Sequence, residues 1–338
     1  MSKVPFSYLS HRIFFVQLYI NAYFANHKKL AQSTKFETMR PSSKKKLTDF
    51  LFRILPVEAI PIRLLVVGSQ KAGTTSLHSY LGQHPCLVSP KMKEIQFFWR
   101  DDMYELGTDW YAKHFYKFRK KMEQNVAYQA FDATPDNLYF PAVAQRIKDY
   151  KADMRIVIIL REPVSRAYSA WNMYKQLYVQ YQKIPFIDVG GWLTPAYIKN
   201  ATSNLRNVLF ADSNFPTFEA ITDLEKQLIA EKSSYLEPSF LRRGFYAEQI
   251  ARYYEHFPKE QILILTNKDL KTDLNNQLNK ILNFIDLPNY DWSSLQTQQK
   301  NAYQYSEPIN ADIKAELQAF YEPYNEQLFE LLGKEVKW

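Results

Sequence analysis

The amino-acid sequence predicts an α/β domain with a P-loop-like parallel sheet flanked by helices on both faces, and three observations carry that prediction. The run Arg63-Leu64-Leu65-Val66-Val67 is an apolar strand that passes through the short loop Gly68-Ser69-Gln70-Lys71-Ala72-Gly73 into a helical stretch opening at Thr74. A second apolar run, Arg155-Ile156-Val157-Ile158-Ile159-Leu160, feeds another helix, with Pro163 placed where a first helical turn accepts it. Along the rest of the chain, strand-like and helix-like stretches alternate, the pattern of a parallel sheet with helices outside.

In chain order, short apolar runs predict strands at 63–67, 127–131, 155–160 and 262–266. Longer stretches with apolar residues at helical spacing predict helices near 74–82, 139–149, 163–180, 217–231, 246–256, 274–285 and 311–332. Pro323 is expected to kink or divide the last of these. The segment 181–216, with Pro185, Gly190-Gly191-Trp192, Pro195 and Pro216, reads as an insertion of little regular structure. Loops at the carboxyl edge of a sheet carry specificity, so this insertion is expected to face the acceptor. There is no internal repeat, no metal-ligand spacing and no nucleic-acid motif.

A chain of 338 residues with 46% hydrophobic content is long enough for one large domain and an extension. Residues 1–61 read as a basic, aromatic extension and 62–338 as the domain. Residues 1–53 hold 10 of the 43 Lys and Arg but only 2 of the 35 acids, so the basic character belongs to them. Ile13 to Ala25 is uncharged but too short to span a bilayer, which takes roughly 20 apolar residues. It reads as a helix packing on the domain or a partner, with peripheral membrane attachment helped by Lys28, Lys29 and Lys44-Lys45-Lys46 as the alternative. Cys86 is the only cysteine, which excludes an intramolecular disulfide and lends no support to oxidising secretion; the expected location is the cytoplasm, with membrane association through the extension as the variant.

The loop after the first strand has the makings of a phosphate cradle. Gly68 and Gly73 let the backbone turn and approach an anion closely, and the helix from Thr74 aims unpaired N–H groups and its positive end at that anion. It is not a Walker A loop: Thr74 follows the second glycine where that motif has lysine, and Lys71 sits inside the loop. The second strand ends in Arg161, where a Walker-type NTPase wants an acidic metal ligand. The expected ligand is a phosphate ester held without a metal. Arg161, by its planar fork, and Ser169, by its hydroxyl two turns into the next helix, could hold a second phosphate. Two phosphate sites at one sheet edge suggest a nucleotide phosphorylated at both ends of its ribose.

At these residues the chain resembles the sulfotransferases that use 3′-phosphoadenosine 5′-phosphosulfate (PAPS). The resemblance implies that Gly68, Gln70, Lys71, Ala72, Gly73, Thr74, Thr75 and Ser76 hold the 5′-phosphosulfate, and that Arg161 and Ser169 hold the 3′-phosphate. Further stretches are similar to the carbohydrate-sulfating branch, including heparan sulfate N- and 3-O-sulfotransferases. In Lys91-Met92-Lys93-Glu94-Ile95-Gln96-Phe97-Phe98 the resemblance puts Glu94 in the place of the catalytic base. Phe131-Asp132-Ala133-Thr134-Pro135, Arg243 to Gln249, Phe257 to Leu265 and Tyr321 to Gly333 extend it over roughly residues 62 to 338. Two positions depart from the pattern. Ala133 stands where many glycan sulfotransferases have lysine, and Lys300 is followed by Asn301 and Ala302 in place of the usual Gly-Arg, leaving Lys300 a weak nucleotide-binding candidate.

The implied activity is in-line transfer of a sulfuryl group from PAPS to a hydroxyl or amine of a carbohydrate-like acceptor, with Lys71 stabilising the leaving group and Glu94 taking the acceptor proton. Each residue also has a plainer reading. The glycines could merely close a turn, Arg161 could form a surface ion pair, and Glu94 could be a solvated acid. Arg166 is open between a nucleotide contact and an ion pair with Glu162 at helical spacing. Phe97-Phe98-Trp99 reads first as core, and His84 and His114 first as structural, although either would be a base in another branch of the family. The competing functional classes are a P-loop kinase and a non-catalytic glycan-binding protein on the same scaffold.

Overall fold

A computed structural model describes residues 57–90, 93–118, 121–180, 215–232, 239–297 and 308–338. The leader up to residue 56, most of the 181–216 insertion, Lys91 and Lys300 lie outside the described residues. The strands are β1 (Val57–Ala59), β2 (Ile62–Gly68), β3 (Leu87–Val88), β4 (Tyr116–Phe118), β5 (Gln129–Ala133), β6 (Arg155–Leu160) and β7 (Ile262–Thr266). The helices are α1 (Thr74–Leu81), α2 (Asp101–Tyr104), α3 (Thr108–Ala112), α4 (Val143–Tyr150), α5 (Pro163–Gln180), α6 (Phe218–Ala230), α7 (Tyr246–His256), α8 (Asn267–Thr272), α9 (Leu274–Phe284) and α10 (Ala311–Leu332).

Five strands form one parallel sheet in the order β3-β5-β2-β6-β7, with β2 at its centre. Both faces of the central strands are covered, which is why their sequences run apolar without alternating. Leu65 and Val67 of β2, with Ile156, Ile158 and Leu160 of β6, pack with Tyr246, Ile250 and Tyr253 of α7. Leu64 and Val66, with Val157 and Ile159, pack with Leu77 and Leu81 of α1 and Leu278, Ile281 and Leu282 of α9. A third cluster joins α5, α6 and α10 through Ala167, Ala170, Trp171, Ile221, Leu228, Leu317 and Tyr321. After β2 the chain builds β3 and β5 on one side, then crosses to β6 and β7 on the other. The carboxyl ends of β2 and its two neighbours therefore meet at a topological switch point, where open α/β sheets bind ligands.

The structure departs from the expected elements in five places. The strand expected at 127–131 runs from Gln129 to Ala133, because the Asp132 carboxylate finds partners and so is tolerated inside a buried strand: it accepts from Tyr111 Oη, Thr134 Oγ1 and the Ala133 N–H. The helix expected near 139–149 begins at Val143; a 3₁₀ turn occupies 135–138, and Pro141 disfavours helix at the residue before it. α10 is not divided at Pro323, since Leu317, Tyr321 and Leu328, buried on both sides of the proline, anchor one continuous helix. The last residues assigned to the extension are part of the domain: β1 pairs antiparallel with β4, and Ile60 enters the core. Finally, α2, α3, α8 and the two-residue β3 are too short to leave a periodic signal in the sequence.

A buried carboxylate organises the turn before α7. Glu225 of α6, wholly inaccessible, accepts hydrogen bonds from Ser239 Oγ at 2.6 Å and from the N–H groups of Phe240, Leu241 and Arg242 at 2.7, 2.8 and 3.1 Å. The carbonyls of the same turn are used as well, Leu241 O accepting from Tyr321 Oη and Phe240 O from Arg166. Glu225→Ala would leave two buried N–H groups, of Phe240 and Leu241, and the half-buried one of Arg242 unsatisfied, at about 1–3 kcal/mol for each buried group. The expected loss of stability is on the order of 3 kcal/mol or more, read from the urea unfolding midpoint, with Glu225→Gln losing less; an unchanged midpoint for the alanine variant would contradict this account.

Candidate active site

The loop after β2 is pinned from three sides. From β6, Ile159 O accepts both the Ser69 N–H at 2.8 Å and Ser69 Oγ at 3.0 Å. From the residue after β6, Arg161 Nη1 donates to Lys71 O at 2.8 Å, while Arg161 O accepts from Tyr246 Oη at 2.8 Å. From the residue after β7, Asn267 Nδ2 donates to Ala72 O at 2.8 Å. Within the loop, the Ala72 N–H closes onto Ser69 O at 3.1 Å, and Lys71 adopts a left-handed φ of 67°. Gly73, at φ 108°, turns the chain into α1, whose N-terminus no side chain caps. Gly68 is needed for close approach, since a Cβ there would lie 2.5 Å from Leu138 Cβ.

Lys71 stands among cations. Burial is the main cause that brings its amine down to about 7, followed by repulsion from Arg161 and Arg166, with Glu94 acting in the opposite direction and Lys93 adding a smaller repulsion. Arg166 is 0% exposed; one guanidinium nitrogen donates to Phe240 O, while Nε and Nη1 have no hydrogen-bond partner. It does not pair with Glu162, whose carboxylate instead accepts from the Val164 and Ser165 N–H groups at 2.9 and 2.7 Å and caps α5. Ser169 is buried two turns along α5, at 2% exposure, and Gln70 Oε1 is buried without a partner.

Glu94 lies in the same electrostatic neighbourhood, with a left-handed φ of 63°. Its side chain, 19% exposed, pairs with the ammonium of Lys93. Burial raises its carboxyl above the usual range; Lys93 opposes this through charge and hydrogen bond, Asp136 adds to it by like-charge repulsion, and Lys71 opposes it more weakly. Asp136 is itself held by Arg243 at 2.8 Å, and Arg243 lies over the Tyr139 ring at 4.3 Å. Asp132, buried beneath this group, is raised to about 6 by burial, against its three hydrogen bonds and the nearby Lys93.

The structure thus brings Lys71, Arg161 and Glu94 to one sheet edge and sets Ser169 in the helix that follows. The other candidates separate from them. His84 accepts the Cys86 N–H at Nδ1 and packs against Tyr290 and Trp292. His114 sits 2.9 Å from Trp110 O and is brought down to about 4 by burial, so it stays neutral at physiological pH. Phe97, Phe98 and Trp99 are core, Phe97 stacking on Tyr111 at 4.6 Å. Sequence reading missed Asn267, Asp136 and Arg243. Asn267 was within reach of it, being the polar residue that directly follows the predicted strand at 262–266.

A family model for the sulfotransferase domain matches residues 61–320. The chain belongs to the sulfotransferase family. This sulfotransferase is 25% identical over 345 residues to the membrane-associated sulfotransferase kil1 of Dictyostelium discoideum, covering 87% of this chain and 71% of that one. It is 26% identical to the human bifunctional heparan sulfate N-deacetylase/N-sulfotransferase 3, with 87% of this chain spanning only 32% of that protein. A mouse heparan sulfate glucosamine 3-O-sulfotransferase 5 is 23% identical, with 83% and 75% covered. Among solved structures, a sulfotransferase from Alicyclobacillus acidocaldarius superposes with a TM-score of 0.56 at 23% identity, over 81% of this chain and 97% of that one, sharing the fold.

The electrostatics of Lys71 give a direct test. At pH 7 about half of its amine should be neutral, against roughly 4 parts in 10⁴ for an ordinary lysine. Trace acylation followed by peptide mass spectrometry should show Lys71 reacting with a midpoint near pH 7, and Arg161→Ala should move that midpoint upward. Titration of Lys71 together with the bulk lysines would rule out the proposed crowding.

Proposed function

We propose that this sulfotransferase moves the sulfuryl group of PAPS to a hydroxyl or amine of a carbohydrate acceptor. The observation that carries the reading is the bond from Arg161 to the Lys71 carbonyl beneath the uncapped N-terminus of α1, with Glu94 facing Lys71 across the same edge. The residues fit a nucleotide carrying phosphate at two positions. Lys71 and the first-turn N–H groups of Thr74, Thr75 and Ser76 suit the 5′ end, since first-turn groups have no partner within a helix. Arg161 and Ser169 suit the 3′-phosphate, and the partnerless Gln70 Oε1 suits a donor group on the ligand. Lys300, outside the described residues, remains a weak further candidate.

Bound there, PAPS supplies an activated sulfuryl group whose departure leaves negative charge on the 5′-phosphate. Lys71 and the helix N-terminus are preorganised where that charge is to be held, the contribution that is usually largest in such reactions. The arriving anion restores the proton that burial and neighbouring arginines remove from Lys71. Glu94, pushed by burial toward the pH at which it works, takes the acceptor proton. The names of the heparan sulfate relatives support a carbohydrate acceptor, and that of the Dictyostelium relative supports membrane association, for which residues 1–53 are the candidate segment. No helix among the described residues is long and apolar enough to cross a membrane.

Incubation with labelled PAPS and a panel of oligosaccharides, lipids and small alcohols should transfer label to an oligosaccharide. The 3′,5′-bisphosphate product should raise the melting temperature more than ATP with magnesium; the reverse order would favour a kinase, and binding of glycan without turnover a non-catalytic protein. Arg161→Ala should weaken the bisphosphate by about 1.5–3 kcal/mol, the range for a hydrogen bond to a charged group, beyond its effect on a nucleotide lacking the 3′-phosphate, which loses only what the Arg161 bond to the Lys71 carbonyl contributes. An equal loss for both would remove Arg161 from that contact. Glu94→Gln should leave nucleotide affinity intact while lowering turnover by about 10²–10⁴ on a hydroxyl acceptor, and less on a neutral amine. Full activity of that variant on a hydroxyl would exclude Glu94 as the base.

A further inference from the structure

Lys93 pairs with Glu94 and faces two more ionisable groups, Asp132 from β5 and Lys71 from the loop after β2. It is the only basic side chain supplied to Glu94 by its own segment of the described residues. The groups facing Glu94 are Lys93, Asp136 from the turn after β5, and Lys71. Asp136 opposes ionisation of Glu94 and is engaged by Arg243. Lys71 favours ionisation, but its charge is the one that a bound 5′-phosphosulfate would engage. No cation comes from the strand end behind, because Ala133 is wholly buried against the α1 and α9 face. Asp132, next to it, points to the opposite face, locked by Tyr111, Thr134 and the Ala133 N–H. An anion on Lys71 therefore leaves Glu94 facing Asp136 with, among the described groups that act on it, one other cation, the Lys93 ammonium already paired to it.

We infer that Lys93 is the positioning residue of the catalytic base: paired with Glu94 and within electrostatic reach of Asp132, its ammonium keeps the Glu94 carboxylate ionised and oriented while the nucleotide occupies Lys71. The inference rests on Glu94 being the base. In the proton transfer the acceptor O–H or N–H bond breaks and an O–H bond forms on Glu94; Lys93 keeps its own proton throughout and touches neither reactant. A strained left-handed backbone at Glu94 fits this role, since holding a carboxylate in one orientation is what a local ion pair and a fixed φ together achieve.

Two variants and two readouts test it on the full chain with PAP, the 3′,5′-bisphosphate product, present. In ¹³C-carboxyl NMR, with Glu94→Gln used for assignment, Lys93→Met should raise the titration midpoint of Glu94 by about one pH unit or more, the effect of losing an opposite charge at close range. Lys93→Arg should stay near the wild-type midpoint. In kcat/KM profiles on a hydroxyl acceptor, Lys93→Met should lose up to about tenfold on the acid side of the Glu94 midpoint, recover toward alkaline pH and be rescued by Lys93→Arg, while PAP affinity stays within about twofold. Should Lys93→Met not fold, Lys93→Gln carries the same comparison. A wild-type enzyme that turns over while Glu94 titrates alike with and without the Lys93 charge overturns the role of Lys93 alone. If Glu94→Gln retains full turnover, the base assignment falls and this inference falls with it.

Discussion

Lys71, Arg161 and Arg166 are held within electrostatic reach of one another at the carboxyl edge of a parallel sheet, and the surrounding structure has to bear that repulsion. Like charges at such range would drive mobile side chains apart. Both guanidinium groups are tied to backbone, Arg161 by the Lys71 carbonyl and Arg166 by the Phe240 carbonyl, and the Lys71 backbone is fixed in a left-handed turn. Such a cluster favours negative charge before any specific contact is counted. The helix N-terminus adds its own positive end to the same point.

Keeping Arg166 buried depends on a chain of support that ends far from the site. Its carbonyl partner, Phe240, belongs to the turn whose N–H groups are gathered by Glu225, and Tyr321 of α10 bonds the next carbonyl of that turn. Gly244 permits the packing, for a Cβ there would come within 2.8 Å of the Tyr321 ring. The same segment starts α7, whose Tyr246 hydroxyl fixes the Arg161 carbonyl. Glu225, negative and inaccessible, is thus connected through backbone hydrogen bonds to a positive cluster that it does not touch. A buried charge leaves a lasting cost unless every lone pair is used, and this carboxylate accepts four hydrogen bonds.

The sheet was legible because its central strands are buried on both faces and so spell themselves as uninterrupted apolar runs. The loop after β2 was legible because its glycines and lysine fall between a strand and a helix. What could not be read was convergence. Arg243 meets Asp136, and Arg166 meets Phe240, across more than seventy intervening residues, with no periodicity to connect them. Local rules also misled where packing overrides them: the strand was expected to end before Asp132, and of the kink or division expected at Pro323 the division does not occur. Asp132 is accommodated by three hydrogen bonds and Pro323 by the burial of Leu317, Tyr321 and Leu328 around it.

Burial acts in opposite directions on the two groups assigned to the chemistry, lowering Lys71 to about 7 and raising Glu94. For Lys71 the folded value lies below the ordinary 10.5. Below pH 7 it is protonated in both folded and unfolded chains, and the full cost of burying the charge is felt. Between about 7 and 10.5 only the unfolded chain binds the proton, so Lys71 makes the domain more stable as pH rises. On the proposed function, an anion held by Lys71 would reverse that balance by restoring the ammonium, and binding in this window would draw a proton from solvent. The restored charge is then shared with that anion, so the carboxylate form of Glu94 rests on its pairing with Lys93 rather than on Lys71.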